Sequence, residues 1–309
     1  MRYFFASSAS FARQLTQLYD VINPAAAAMW NLRWQVRGYV AERASVDNDE
    51  LHGRFVAGSG IGSANLKRHC LEEPWDKQTS ELALLAMYAG ISLYEGWTAT
   101  LEVGTPQQRN RLQFPSRGTA RHVKDGAAET LAAVGTSRSA DLEAIYGRVL
   151  RANRKYMPDR LEDLLLAYRC YKEARNSCAH AGRIANSWAE GAFTDAEVIA
   201  GGLGARGRPL SLPKLEEGKP ALIRLQDVQG LWAVMLALVT TLDATLATTK
   251  EAETSFRSRW KASHQFKTLS GDTARRHTQL NRLSLNAGFP KASDPGVLYE
   301  FLRRDHLVI

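Results

Sequence analysis

Along most of the chain, apolar residues recur three and four positions apart, the spacing of one helix face, and few segments alternate with a period of two. Residues 24–44, which follow Asn23-Pro24, mix apolar and charged positions at helical spacing and carry Trp30 and Trp34. The stretch 50–70 is a weaker helix, because GSGIG at 58–62 interrupts it. QTSELALLAMYAGISLYEGWTATLE, residues 78–102, predicts a strong apolar helix despite two glycines, with Thr79 or Ser80 as its N-cap. Residues 104–126 combine prolines, glycines and arginines and read as a basic loop.

A helix is expected to open at Ser139 and run to about 155. Asp159 is expected to cap a long helix over 160–189. Residues 191–220 are rich in glycine and proline, so a long irregular connection is expected there, one that could carry a hairpin or a short helix. A last long helix starts near Gln226 and extends toward Ala262. Gly271 opens a smaller terminal piece with a short helix, LYEFLRR, at 298–304. With no βαβ rhythm and no internal repeat, the pattern predicts an all-α helical bundle.

Composition changes this picture little. A formal charge of +8 and an isoelectric point near 9.5 favour phosphate-rich partners, and say nothing of fold. Cys70, Cys170 and Cys178 form no CxxC pair, which argues against a disulfide framework and fits a reducing compartment. The first residues, MRYFFASSASFARQ, lack an apolar run of signal-peptide length, and LWAVMLALV at 231–239 is short for a membrane span. A cytoplasmic protein is the expectation. Histidines 52, 69, 122, 264, 277 and 306 are too scattered for a zinc or di-metal spacing, so no metal and no cofactor are expected. GSGIGS at 58–63 has no following lysine and no preceding strand, which argues against a P-loop. The basic ARRH (274–277) and RRDH (303–306) could touch RNA, although exposed helix ends are commonly basic.

Candidate chemistry concentrates in YKEARNSCAHAGR, Tyr171–Arg183. On an ideal helix Leu164, Tyr168, Tyr171, Ala174, Cys178, Ala181, Ala185 and Trp188 share an apolar face. Arg169, Glu173, Asn176, His180 and Arg183 form a polar stripe opposite. Arg175 leaves that stripe, lying about 140° around from His180 on the flank of the apolar face. An arginine there needs an anion or an acidic partner, and Glu95 on the apolar helix 78–102 is one candidate. The bare spacing of arginine and histidine recurs at Arg117/His122 and Arg259/His264, so it carries no weight alone. Context separates Arg175: Asn176 follows it, small residues surround it, and long helices flank it.

With that context, Arg175-Asn176-Ser177-Cys178-Ala179-His180 resembles the motif of the HEPN superfamily (higher eukaryotes and prokaryotes nucleotide-binding): arginine, a polar residue, three further residues, histidine. The likeness covers roughly residues 75–250. It implies a HEPN-like up-and-down bundle at 75–262, an N-terminal helical extension at 1–74 and a small C-terminal appendage at 263–309. It also implies a metal-independent endoribonuclease acting as a homodimer, whose Arg175, Asn176 and His180 line a cleft shared by two copies. On this reading Arg175 binds phosphate, His180 handles protons or orients a 2′-hydroxyl, and Asn176 positions. Arg169, Lys172 and Arg183 would contact RNA, and Glu95 would support the arginine. Such an enzyme would be a toxin or defence effector, with an antitoxin or defence-complex protein as a possible partner and no membrane. The alternative is a non-catalytic HEPN-like module that binds a nucleotide or a protein.

Overall fold

A computed structural model describes residues 3–43, 45–118, 126–180, 182–204, 208–264 and 267–309. His122, part of the basic loop, and Ala181 lie outside the described residues. The fold is all-α: among the described residues there are helices, turns and isolated bridges, and no strand.

The chain opens with α1 (Ala6–Glu42), one helix that carries Pro24 inside it, and a short α2 (Asn48–Phe55). Next comes α3 (Trp75–Thr100), which starts earlier than Thr79 or Ser80. Trp75 packs edge-on against Trp30 at 5.0 Å, and this contact rewards the extra turn; the Thr79 hydroxyl donates back to Trp75 O instead of capping. The loop read as basic contains a helical turn, α4 (Pro106–Arg111), closed by a capping box between Thr105 and Gln108. Then follow α5 (Ala127–Gly135), α6 (Ala140–Leu142), which runs through a π-turn into α7 (Arg148–Arg151), and α8 (Leu161–His180). Ser139 caps α6 as expected, accepting from Leu142 N at 3.0 Å.

Two expectations about the middle of the chain are corrected. The helix over 160–189 stops at His180, where Gly182 (φ 58°) and Arg183 (φ 73°) adopt left-handed conformations and Arg183 N–H reaches back to Ser177 O at 3.1 Å. Trp188 therefore leaves the apolar face assigned to it and stands 48% exposed on the next helix. That helix, α9 (Ser187–Leu203), occupies half of the region read as an irregular connection. Asn186 caps it, and its buried seam is Ala189, Ala192, Ala196 and Ala200, a small-residue stripe that lets it lie close along α8. Similarly, the last long helix is two: α10 (Leu225–Leu246) and α11 (Lys250–Ser263), broken at Thr249, which caps Ala252 N at 3.2 Å.

The terminal segments are also not appendages. α12 (Thr273–Asn286), α13 (Pro295–Arg304) and the turn between them contribute Leu280, Phe301 and Phe289 to the same core as Phe4, Phe5, Phe11, Tyr94 and Tyr168. Only the outer half of α1, with α2 and residues 64–71, builds a second small core around Val36, Leu51 and Cys70. The boundaries at 74 and 263 thus cut through shared packing. The sequence concealed this because the Phe4-Phe5 pair and Phe289 are isolated aromatics, with no periodic run to announce them.

α10 is the centre. It is long and apolar enough to cross a membrane by length and composition, and most of its apolar window is buried in the bundle. Two glycines let its neighbours close on it. A Cβ on Gly90 of α3 would come within 3.1 Å of Met235 and Trp232, and one on Gly230 would overlap the Tyr171 hydroxyl of α8. Asp243, fully buried, anchors the N-terminal segment by accepting the Phe4 and Phe5 amides at 2.8 and 3.1 Å. Arg259 grips the same segment from α11 through Phe4 O at 2.7 Å.

Burial pushes the Asp243 carboxyl up to about 6, with the Phe4, Ser8 and Phe5 hydrogen bonds opposing only in part. A carboxyl that holds its proton more tightly folded than unfolded stabilises the fold at low pH, and that contribution fades as pH rises through about 6. Urea denaturation across this range should show wild type gaining on the non-titrating Asp243→Asn variant, by on the order of 2 kcal/mol, between neutral pH and the ordinary carboxylate range.

Candidate functional site

α8 carries the candidate residues on its last three turns. Its apolar side is fixed by Tyr168, which packs on Tyr94 of α3 at 4.6 Å, and by Tyr171, whose hydroxyl donates to Ser211 O beside α10. With these two rings set, the polar residues project as an arc of about 160° running from Arg175 through Lys172 and Asn176 to Glu173.

One edge of the arc faces α3. Glu95 Oε1 accepts from Lys172 Nζ at 2.8 Å and from Arg175 Nη2 at 2.9 Å. The partner that Arg175 was expected to need is therefore Glu95, and it serves Lys172 as well. Arg175 is 20% exposed and Glu95 32%, so the pair sits at the lip of the α3–α8 seam. Arg175 Nε is buried and has no hydrogen-bond partner among the described residues. Lys172 also donates to Gln113 Oε1 at 3.1 Å, and Gln113 in turn donates to Thr98 at 2.8 Å. Burial lowers the Lys172 pKa, while the Glu95 hydrogen bond works against that shift.

The other edge is sealed deeper. Arg169 and Glu173, four residues apart, form an ion pair whose side chains are 3% and 6% exposed. Phe114 covers it, with the Arg169 guanidinium 5.4 Å from the ring centre and Lys172 Nζ at 5.5 Å. Asn176 Nδ2 donates to the second Glu173 oxygen at 3.3 Å. Beyond Asn176 the stripe opens to solvent, and His180 is exposed at the end of the helix. The positions at 169, 173, 176 and 180 thus grade from core to surface along one line.

Arg175 and Glu95 come together here, Asn176 turns to Glu173, and His180 stands on the same helix, turned about 140° away from Arg175. Two assignments as RNA contacts are corrected. Arg169 is sealed under Phe114, and Lys172, 13% exposed, points at Glu95 and Gln113. The reason is the loop of residues 112–118, which folds over α8 and cannot be inferred from helical spacing. Arg183 does reach the surface, paired with Glu81 at 2.8 Å. Two of the arginines in the stretch read as a basic loop serve the fold: Arg109 donates to Leu101 O at 2.6 Å and Arg117 pairs with Asp163 at 2.6 Å. Cys178 is half-buried and burial raises its pKa, which disfavours a nucleophilic thiolate. No cluster of His, Cys, Asp and Glu suited to a metal ion exists among the described residues.

Gln113 and Phe114 are the residues that sequence reasoning passed over. Their only signal was an aromatic-glutamine pair inside a basic, proline-bearing stretch. The chain matches no family model, no curated protein and no solved structure.

Removing one carboxylate from each ion-pair cluster should separate their roles. Glu173→Gln leaves Arg169 charged in the core and should cost about 3–5 kcal/mol in urea denaturation. Glu95→Gln leaves two partly buried cations at the lip of the seam, nearer to water than Arg169, and should cost less, about 1–2 kcal/mol.

Proposed function

We propose that the chain is a metal-independent endoribonuclease of the HEPN type, with Arg175, Asn176 and His180 as its catalytic residues and a second copy completing the site. The observation that carries this reading is the end of α8. An exposed histidine closes the helix, an asparagine lies one turn before it, and an arginine is held at the lip of a seam by Glu95.

The chemistry requires these groups and little else. The 2′-hydroxyl oxygen forms a bond to the adjacent phosphorus and the bond from phosphorus to the 5′-oxygen breaks, leaving a 2′,3′-cyclic phosphate and a 5′-hydroxyl. The proton leaves the 2′-oxygen and one is delivered to the 5′-oxygen. An exposed imidazole, with one ring nitrogen able to accept a proton and the other to donate one, can serve either transfer. Arginine's forked donors suit the charge that builds on the equatorial phosphate oxygens. Because Arg175 and His180 diverge on one helix, one copy's arginine is paired in this proposal with the other copy's histidine. Arg183, at the turn after His180, is the remaining surface cation placed to meet the strand. A toxin or defence role, held in check by an antitoxin or partner protein, would follow from such an activity.

The same Glu95 contacts favour a second reading, a non-catalytic helical module, since a carboxylate already occupies Arg175. Incubating purified protein with total RNA in EDTA decides between them. Wild type should cut the RNA and His180→Ala should lose at least about a hundredfold in rate. Equal cleavage by both, or none by wild type, removes the nuclease reading. Mixing Arg175→Ala with His180→Ala should restore activity if the site is shared, because one site in the mixed dimer regains both groups.

A further inference from the structure

The chain's positive charge is not spread evenly. Between Thr254 and Ser293 there are eight Lys and Arg and a single acid, Asp272, so nearly all of the formal excess of +8 resides in this stretch. Some of these cations serve the fold. Arg257 pairs with Glu253 and Asp305 at 2.9 and 2.7 Å, and Arg259 lies over Phe289 at 3.9 Å while gripping Phe4 O. Arg276 donates to the Ser270 and Gly271 carbonyls and covers Tyr299. The remainder differ: Lys261, Lys267, Arg275, Arg282 and Lys291 are exposed and make no ion pair among the described residues. Asp272 is engaged as the cap of α12, accepting Arg275 N at 2.8 Å.

Three of these free cations line one groove. Two adjoining cavities of about 540 and 470 Å³ share Gln279 and Arg282 and run along α12, bounded by the end of α11 and by residues 267–269. Lys267, Arg275 and Arg282 face it, interleaved with neutral hydrogen-bonding groups such as Thr268, Gln279 and Asn286, and no carboxylate lines it. The cations around Arg175 are countered by Glu95 and Glu173, whereas these three have no acidic partner among the described residues.

We propose that this groove binds the sugar–phosphate backbone of a polynucleotide strand. Arginine forks and a lysine spaced along a trough match successive phosphates, and release of the strand's counterions supplies affinity. Amide and hydroxyl donors between them complete the contacts to phosphate and sugar. His264 is the one ring among the described residues that lines the groove, and it is buried, packed on Trp260 and bonded to Leu283 O, so the contacts to a strand fall on phosphate and sugar and recognition is independent of sequence. The concave shape gathers the three cations onto a strand better than onto a flat lipid surface. The groove belongs to α11 and α12 and the arginine–histidine motif to α8, so this inference does not rest on the nuclease reading.

The probe is a fluorescent 2′-O-methyl RNA of about 20 nucleotides, which lacks the free 2′-hydroxyl and cannot be cut by the chemistry above. Fluorescence anisotropy with the full chain in about 0.1 M salt should show binding. The triple variant Lys267→Ala/Arg275→Ala/Arg282→Ala should weaken it about tenfold or more, and reduce the slope of log affinity against log salt by about 2, at roughly 0.7 per lost phosphate contact. A control triple, Arg43→Ala/Arg68→Ala/Lys77→Ala, removes equal charge elsewhere and should change affinity less than twofold. Unchanged binding in the groove triple, or equal loss in both triples, overturns the proposal. A groove triple that loses binding to anionic phosphatidylserine vesicles while keeping the RNA also overturns it. Loss for a DNA strand as well as RNA supports it, and the ratio of the two affinities identifies the preferred strand. If the groove triple melts early by circular dichroism, Arg282→Ala alone is read instead, with an expected slope change of about 0.7.

Discussion

Glu95 is the group on which the arrangement of α8 depends. Lys172 and Arg175 stand three residues apart on one helix, side by side and largely out of water, where two like charges repel. A single carboxylate from α3 accepts from both and makes the pair tolerable. Its placement depends on packing next to it, for Tyr94, one residue earlier, carries the ring that meets Tyr168. Gly90, one turn further back, lets α10 close on α3, and Gly230 lets Tyr171 lie against α10. The rotation of α8 about its axis is thus set from two sides, by aromatic contacts and by charge. That rotation decides where Arg175, Asn176 and His180 point.

Along the helix the same residues pass from core to solvent. Arg169 and Glu173 are sealed, Asn176 is half-buried and His180 is exposed. A buried ion pair contributes little net stability compared with an apolar pair, but it holds a unique geometry when its other hydrogen bonds are filled. Here Asn176 takes the second Glu173 oxygen, which ties the buried pair to the middle of the motif. The stop after His180 matters as much. Had the helix continued through residue 189, another two turns would have flanked the imidazole. Gly182 and Arg183 instead turn the chain away and leave the ring at an open end.

The all-α class and the three helices that build the site were legible because α3, α8 and α10 are long and apolar on a broad face. Glu95 was legible for a related reason, since a charge on an otherwise apolar helix must find a partner. α9 was not, because its seam is alanine and its C-terminal end is glycine, so the hydrophobic signal was weak and the breaker signal strong. The helix stop was missed because residues after Gly182 kept the amphipathic spacing, and only the backbone reveals φ values of 58° and 73°. Arg169 and Glu173 looked like a solvated pair four residues apart. What buries them is Phe114, which arrives from a distant loop and leaves no periodic trace.

The distribution of unpaired charge bears on how such a protein could work. An active site that gripped its substrate with many cations would hold the ground state as firmly as the transition state, and rate would not improve. Around Arg175 each cation has an acidic partner, with Glu95 taking two and Glu173 one. Five exposed cations with no ion pair among the described residues, Lys261, Lys267, Arg275, Arg282 and Lys291, lie on α11, on α12 and in the segments that follow them. A fold that keeps its free cations apart from its arginine–histidine motif can spend sequence-independent affinity on one surface and leave the other for groups that act on a single phosphate. On the proposed reading, the Arg175–Glu95 pair would hold the guanidinium in place before a phosphate arrives. Its orientation would then need little rearrangement when an anionic oxygen competed with Glu95, and Glu95 would set how strong that competitor must be.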